Sequence, residues 1–80
     1  MRKCIRSREW KKFCGLLRQT RLAAGLSQAR LAQLLKKPQS FVSRYETGER
    51  RLDVLETKAI CDALGVSVSQ LFVRFEEQRS

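Results

Sequence analysis

The stretch Gln28–Thr47, QARLAQLLKKPQSFVSRYET, limits what this chain can fold into more than any other part of it. Two short segments with helical apolar spacing are separated by Lys36-Lys37-Pro38. A proline pushes the residue before it, here Lys37, out of the α region. Pro38 itself suits the first turn of a new helix, where its missing N–H does no harm. The reading is two short helices joined by a tight turn. Ser27 is a good N-cap for the first of them, and Leu26 with Leu31 fits a hydrophobic staple. Leu31, Leu34 and Leu35 are expected to face inward, and the small Ala32 would let another helix approach closely. The second of the pair runs from Gln39 to Thr47 and is ended by Gly48. Val42 and Tyr45 form its inner stripe, which leaves Gln39, Ser40, Ser43 and Arg44 on other faces.

The flanking sequence supplies what is needed to hold this pair. A helix from Arg8 to Ala24 has Phe13, Leu16, Leu17, Thr20 and Ala24 on one face, thickened by Trp10, with Lys11, Lys12 and Arg18 opposite. Gly25 follows where a left-handed cap is expected. Glu49-Arg50-Arg51 is a polar connector. Asp53 and Glu56 then form a capping box for a fourth helix whose expected buried face is Leu55, Ala59, Ala63 and Leu64, ended by Gly65. Ser67 and Gln70 form a second capping box, and Val66 with Leu71 a second staple. Val68, Leu71, Phe72 and Phe75 make the apolar stripe of a fifth helix. The chain reads as all-α and single-domain, with the domain over residues 9–76, a basic extension over 1–8 and a polar tail over 77–80. The extension is either a mobile arm or the fraying start of the first helix.

Composition narrows the chemistry. Among the 80 residues there is no histidine, so the usual general base, the Ser-His and Cys-His pairs and the Cys/His zinc finger have no basis. Cys4, Cys14 and Cys61 are widely spaced and odd in number, which points to free thiols in a reducing compartment. No stretch approaches the roughly 18 apolar residues of a membrane span, and the basic start lacks a signal-peptide core. No catalysis, cofactor, metal or small-molecule ligand is expected. The formal charge is +9, and it is unevenly placed. Residues 1–51 carry 14 Lys/Arg against 3 Asp/Glu, a net +11, while residues 52–80 carry 3 against 5, a net −2. The positive field belongs to the half with the helix pair, and a polyanionic partner is the natural inference.

From Leu17 to Phe72 the sequence resembles the Cro/C1-type (XRE) helix-turn-helix family. The resemblance rests on Leu17-Arg18-Gln19-Thr20-Arg21, Gly25-Leu26-Ser27-Gln28, Leu31-Ala32, the run Gln39 to Arg51, Ala63-Leu64-Gly65-Val66-Ser67 and Leu71-Phe72. It implies a compact five-helix bundle of the lambda-repressor-like type, with its helix-turn-helix over 28–47. It also implies a cytoplasmic, nucleoid-associated regulator that binds operator DNA as a homodimer. Carried over residue by residue, it makes Gln39, Ser40, Ser43 and Arg44 the candidates for base contact and Gln28 a phosphate contact. It makes Arg21 and Glu46 an ion pair between the first and third helices. The family usually has glycine in the turn where this chain has Lys36, and an apolar residue at Lys37. A lysine there either takes an uncommon positive φ or forces a turn reshaped around Pro38.

Elementary chemistry supports the same face. A helix fits the major groove of B-DNA, where glutamine can pair with adenine and arginine with guanine. Arg18, Lys36, Lys37, Thr47, Arg50 and Arg51 are candidates for phosphate contact, and a cluster of cations makes such binding salt-sensitive. Phe41 lies off the inner stripe, and packing beside the second helix is favoured over contact with a thymine methyl. Phe72 and Phe75 are the candidate dimer surface, against the simpler option that both rings fold back onto their own domain. The rival function is a protein-interaction module of the same fold, such as an antitoxin that binds its toxin. Length and motifs do not choose among a phage-type repressor, a restriction–modification controller and an antitoxin.

Overall fold

Local signals in the sequence set where each helix starts and stops. In the computed structural model, which describes residues 3–78 and side chains from Arg8 onward, the helices are α1 (Lys3–Ala23), α2 (Gln28–Leu35), α3 (Gln39–Glu46), α4 (Val54–Leu64) and α5 (Val68–Glu77). No strand occurs among the described residues. The Ser27 hydroxyl accepts the Arg30 N–H at 3.0 Å. Asp53 with Glu56 and Ser67 with Gln70 each close a reciprocal capping box. Gly25 and Gly65 take the left-handed φ that ends α1 and α4.

Two boundaries differ from expectation. The helical backbone of α1 begins at Lys3 rather than Arg8, because no glycine or proline interrupts the chain there. Most of the segment set apart as an extension is therefore helix. Met1 and Arg2, the side chains up to Ser7 (Cys4 among them) and the last two residues of the tail lie outside the described residues. Pro38 stands as the N-cap of α3, one position ahead of the first turn, with an extended ψ of 155°.

The core draws on all five helices: Leu17, Leu31, Val42, Tyr45, Ile60, Cys61 and Leu71 are almost wholly buried. α2 packs on both α3 and α4, with α1 and α5 closing the other sides. Phe41 is buried, its ring edge-on to Tyr45 at 5.5 Å between centroids, so it is a packing residue. The face expected on α1 holds at Phe13, Leu16, Leu17 and Thr20 and that on α2 at Leu31 and Leu35, with single departures, while the face of α4 is rotated. On α1 the buried set includes Cys14 and Arg21, and Ala24 lies exposed beyond the helix end. On α2, Leu34 is 46% exposed while Leu31 and Ala32 face the core. On α4 the inward face is Thr57, Ile60, Cys61 and Leu64; Leu55 is 75% exposed, Ala59 is exposed and Ala63 half-buried. The physical reason on α4 is that Ile60, Cys61 and Leu64 lie on one face and pack into the core cluster shared with the other helices. The helix is capped at Asp53, and Thr57 turns inward with its hydroxyl on the Asp53 carbonyl at 2.9 Å. That phase carries Val54 and Leu55 outward.

A buried ion pair ties α1 to α3. Arg21 Nε donates to Glu46 Oε2 at 2.7 Å and Nη2 to Oε1 at 3.0 Å, and Nη1 donates to the Leu26 carbonyl at 2.8 Å. The side chains are only 6% and 2% exposed. The carboxylate bonded to it raises the Arg21 pKa further above its ordinary value, so the guanidinium stays charged. Farther along α1, Trp10 Nε1 donates to the Gly48 carbonyl at 3.1 Å and holds the end of α3 against the N-terminal half of α1.

Tyr45 supplies volume rather than a hydrogen bond. Its ring is fully buried and its hydroxyl has no hydrogen-bond partner among the described residues. Burial, and next the Glu46 charge, push the phenol well above its ordinary range, so it stays protonated. Buried donors left unmade are costly. Tyr45→Phe should therefore raise stability by about 1 kcal/mol in urea unfolding; a loss of similar size would mean that the hydroxyl is satisfied. Glu46→Gln leaves Arg21 charged and buried with no carboxylate, and should cost about 3–5 kcal/mol in the same measurement.

Candidate nucleic-acid interface

The turn before α3 decides how that helix is presented. Lys36 adopts a φ of 59° and a ψ of 43°, the position usually held by glycine. The Lys37 N–H bonds the Ala32 carbonyl at 3.0 Å and the Lys36 N–H bonds Gln33 at 3.1 Å, the paired closure of a Schellman motif. The turn is thus not reshaped by Pro38. The chain keeps the left-handed geometry and accepts a strain of about 1 kcal/mol on a lysine. The reward is a cation at the tip of the turn.

α3 then divides cleanly. Phe41, Val42 and Tyr45 are buried, Gln39, Ser40 and Arg44 are exposed, and Ser43 is half-buried. Behind the exposed edge runs a polar chain. Gln28 Nε2 donates to Glu46 Oε1 at 3.0 Å, and Gln39 Nε2 approaches Gln28 Oε1 at 3.4 Å. A carboxylate only accepts, so Glu46 orients the Gln28 amide and leaves its oxygen toward Gln39. Gln28 was expected at a phosphate; the structure places it as the bridge between the buried ion pair and the first residue of α3.

The cations expected at phosphates fall into two groups. Arg18 and Lys36 are exposed with no carboxylate within 4.0 Å among the described residues. The others are engaged. Lys37 Nζ sits 5.3 Å from the Phe41 ring centre, the Arg50 guanidinium 4.8 Å from the same ring, and the Arg51 guanidinium 5.2 Å from the Trp10 ring. Arg50 is also bidentate on Glu56, at 3.1 and 3.0 Å. Thr47 caps its own helix, its hydroxyl donating to the Arg44 carbonyl at 3.1 Å. Two neighbours escaped the sequence reading. Glu49 lies 4.0 Å from Arg44, and the Lys11 side chain runs past Gly48, its Cγ 3.6 Å from where a β-carbon would stand. The second follows from the Trp10–Gly48 contact, which no local pattern announces.

An apolar groove of about 350 Å³ opens among Trp10, Phe13, Val54, Val68, Phe72 and Phe75. Phe72 stacks on Phe13 at 5.5 Å and Phe75 meets Phe13 edge-on at 5.6 Å, so both rings turn back onto their own domain. Phe72 nevertheless stays 46% exposed, beside the exposed Val73 on the same helix. Burial pushes the Cys14 thiol up to about 11, and both Cys14 and Cys61 are free thiols of the core. Among the described residues no side chains are grouped to hold a metal ion, and no helix is long and apolar enough to cross a membrane.

Residues 13–71 match the model of a helix-turn-helix domain family. An XRE-family like protein from Pseudomonas syringae pv. tomato superposes with a TM-score of 0.87 at 38% identity, over 98% of this chain and 95% of that one. A restriction–modification controller protein, C.Esp1396I, superposes at 0.82 with 24% identity, over 88% and 89% of the two chains. The clp gene regulator ClgR from Corynebacterium glutamicum does so at 0.81 with 21% identity, over 90% and 92%. The last two likenesses are of fold. No curated protein matches the sequence. With the motif, the five helices and the Arg21–Glu46 pair all in place, this chain belongs to the XRE-type helix-turn-helix family.

Proposed function

We propose that this protein is a repressor-like transcriptional regulator that binds specific sites on double-stranded DNA, with α3 in the major groove. One observation carries the reading: an exposed polar edge of Gln39, Ser40 and Arg44 on a helix whose opposite side is locked into the core. Gln39 uses one amide N–H toward Gln28, which leaves an N–H and the oxygen facing out. That is the complement of the adenine N7 and N6 edge. Arg44 has the donor fork that suits guanine O6 and N7, and Ser40 and Ser43 serve either base. Arg18, Lys36, Lys37 and Arg51, with Thr47 and the spare amide N–H of Gln28, neutralise or bond the flanking phosphates. Arg50, tied to Glu56, is left out of that set. The protein acts where the DNA is, in the cytoplasm on the nucleoid.

A single recognition helix reads few base pairs, and two related by a two-fold axis read half-sites one helical turn apart. We propose a homodimer through the face around Phe72 and Phe75, supported by the half-exposed Phe72 ring and the apolar groove beside it.

Sites enriched from a random duplex pool test the first reading. Arg44→Ala and Gln39→Ala should each cost about 1–3 kcal/mol on the selected site and little on mixed-sequence DNA, with unchanged helicity. Equal losses on both DNAs would reduce these side chains to backbone contacts, and no enrichment at all would favour the protein-interaction module. For the dimer, sedimentation equilibrium should find two copies in the wild type and one in Phe72→Asp. A wild-type monomer at tens of micromolar would remove the homodimer.

A further inference from the structure

Two capping boxes in this chain differ in the residue that reaches back to the N-cap. At the start of α5 the reciprocal bond to the N-cap comes from Gln70; at the start of α4 it comes from Glu56. Glutamine and glutamate both close a capping box, and the carboxylate also gains from the helix dipole, but at position 56 the charge has a second partner. The charge faces Arg50. Glu56 Oε1 accepts the Asp53 N–H at 3.0 Å, which fixes the carboxylate by the helix it caps. Arg50 is bidentate on that carboxylate, donates also to the Arg51 carbonyl at 2.7 Å, and lies over Phe41. Both Nη1 protons are thereby used. Phe41 is a buried residue of α3 itself, so this arginine is pinned beside the recognition helix.

We propose that Glu56 is a negative determinant of DNA affinity: by holding Arg50 in a half-exposed ion pair within the chain, it keeps one cation next to α3 out of the phosphate count. This rests on the DNA-binding reading above. Affinity for non-operator DNA is set by how many phosphates are neutralised, each adding about 0.9 to the slope of log K against log salt. A carboxylate built into the scaffold lowers that count by one and leaves the base-facing edge of α3 untouched.

The test is binding of a labelled mixed-sequence duplex across a salt series, with wild type, Glu56→Gln and Glu56→Gln/Arg50→Gln. Glu56→Gln keeps the capping bond and removes the charge. It should tighten binding roughly three- to tenfold near 0.1 M salt and steepen the slope by about 0.9, and the double variant should return to wild type. A folded Glu56→Gln protein with wild-type affinity and slope overturns the proposal. If Glu56→Gln fails to fold by circular dichroism, Arg50→Gln alone decides. An unchanged slope supports the proposal, and a slope shallower by about 0.9 overturns it, because Arg50 is then already on a phosphate. Wild type that binds no duplex at any salt sinks the DNA-binding reading, and this proposal with it; failure of the proposal alone leaves wild-type binding intact.

Discussion

The buried pair of Arg21 and Glu46 is the interaction on which the rest of this structure turns. A charge taken out of water is costly unless it is paired and its remaining hydrogen bonds are met. Here they are met from three elements. Glu46 stands on the last turn of α3, Arg21 on the last turn of α1, and the Leu26 carbonyl lies in the link between α1 and α2. One guanidinium therefore fixes the end of α3 relative to the two helices that must present it. Phe41, Val42 and Tyr45 hold α3 in place by apolar contacts, which are not directional. The fork of hydrogen bonds supplies that direction.

The same carboxylate reaches forward to the site. Glu46 orients Gln28, and Gln28 meets Gln39, so the first residue of α3 is held by its own last turn through a side chain of α2. Order in the core is thus passed to the surface without an extra element. The turn between α2 and α3 works in the same direction. Its left-handed residue is a lysine, and the strain is tolerable because the Schellman closure and the packing of α2 on α3 over-determine the backbone. What glycine would have given in ease, lysine gives in charge at the tip of the turn.

Charge and aromatic surface meet again on the far side of α3. Phe41 offers its faces to Lys37 and Arg50, and Trp10 lies under Arg51. Cations that a sequence shows only as a cluster are sorted by the fold into free ones and held ones. A guanidinium on a carboxylate has its charge offset and fewer N–H groups free to donate. The α4 cap provides that carboxylate as a by-product of starting a helix.

Read alone, the sequence determined the number of helices, the side-chain caps at Ser27, Asp53 and Ser67 and the polar character of α3, together with the family and the residues of its motif. These are local matters: a hydroxyl or carboxylate three residues from an N–H, a glycine after a helix, a proline that bars a conformation. It also placed Arg21 opposite Glu46, through the family pattern. Only the tertiary structure decided the phase of α4, the exposure of Leu34 and the left-handed turn at Lys36. The same holds for the Phe13–Phe72 stack, the Gln28 bridge and the pairing of Arg50 with Glu56. An apolar pattern on a short helix fits more than one rotation. Which rotation wins depends on partners far along the chain, as when Ile60, Cys61 and Leu64 join the core of the other four helices and Leu55 is left outside. Whether an arginine is free or held depends likewise on what lies beside it in space, which spacing along a chain does not encode.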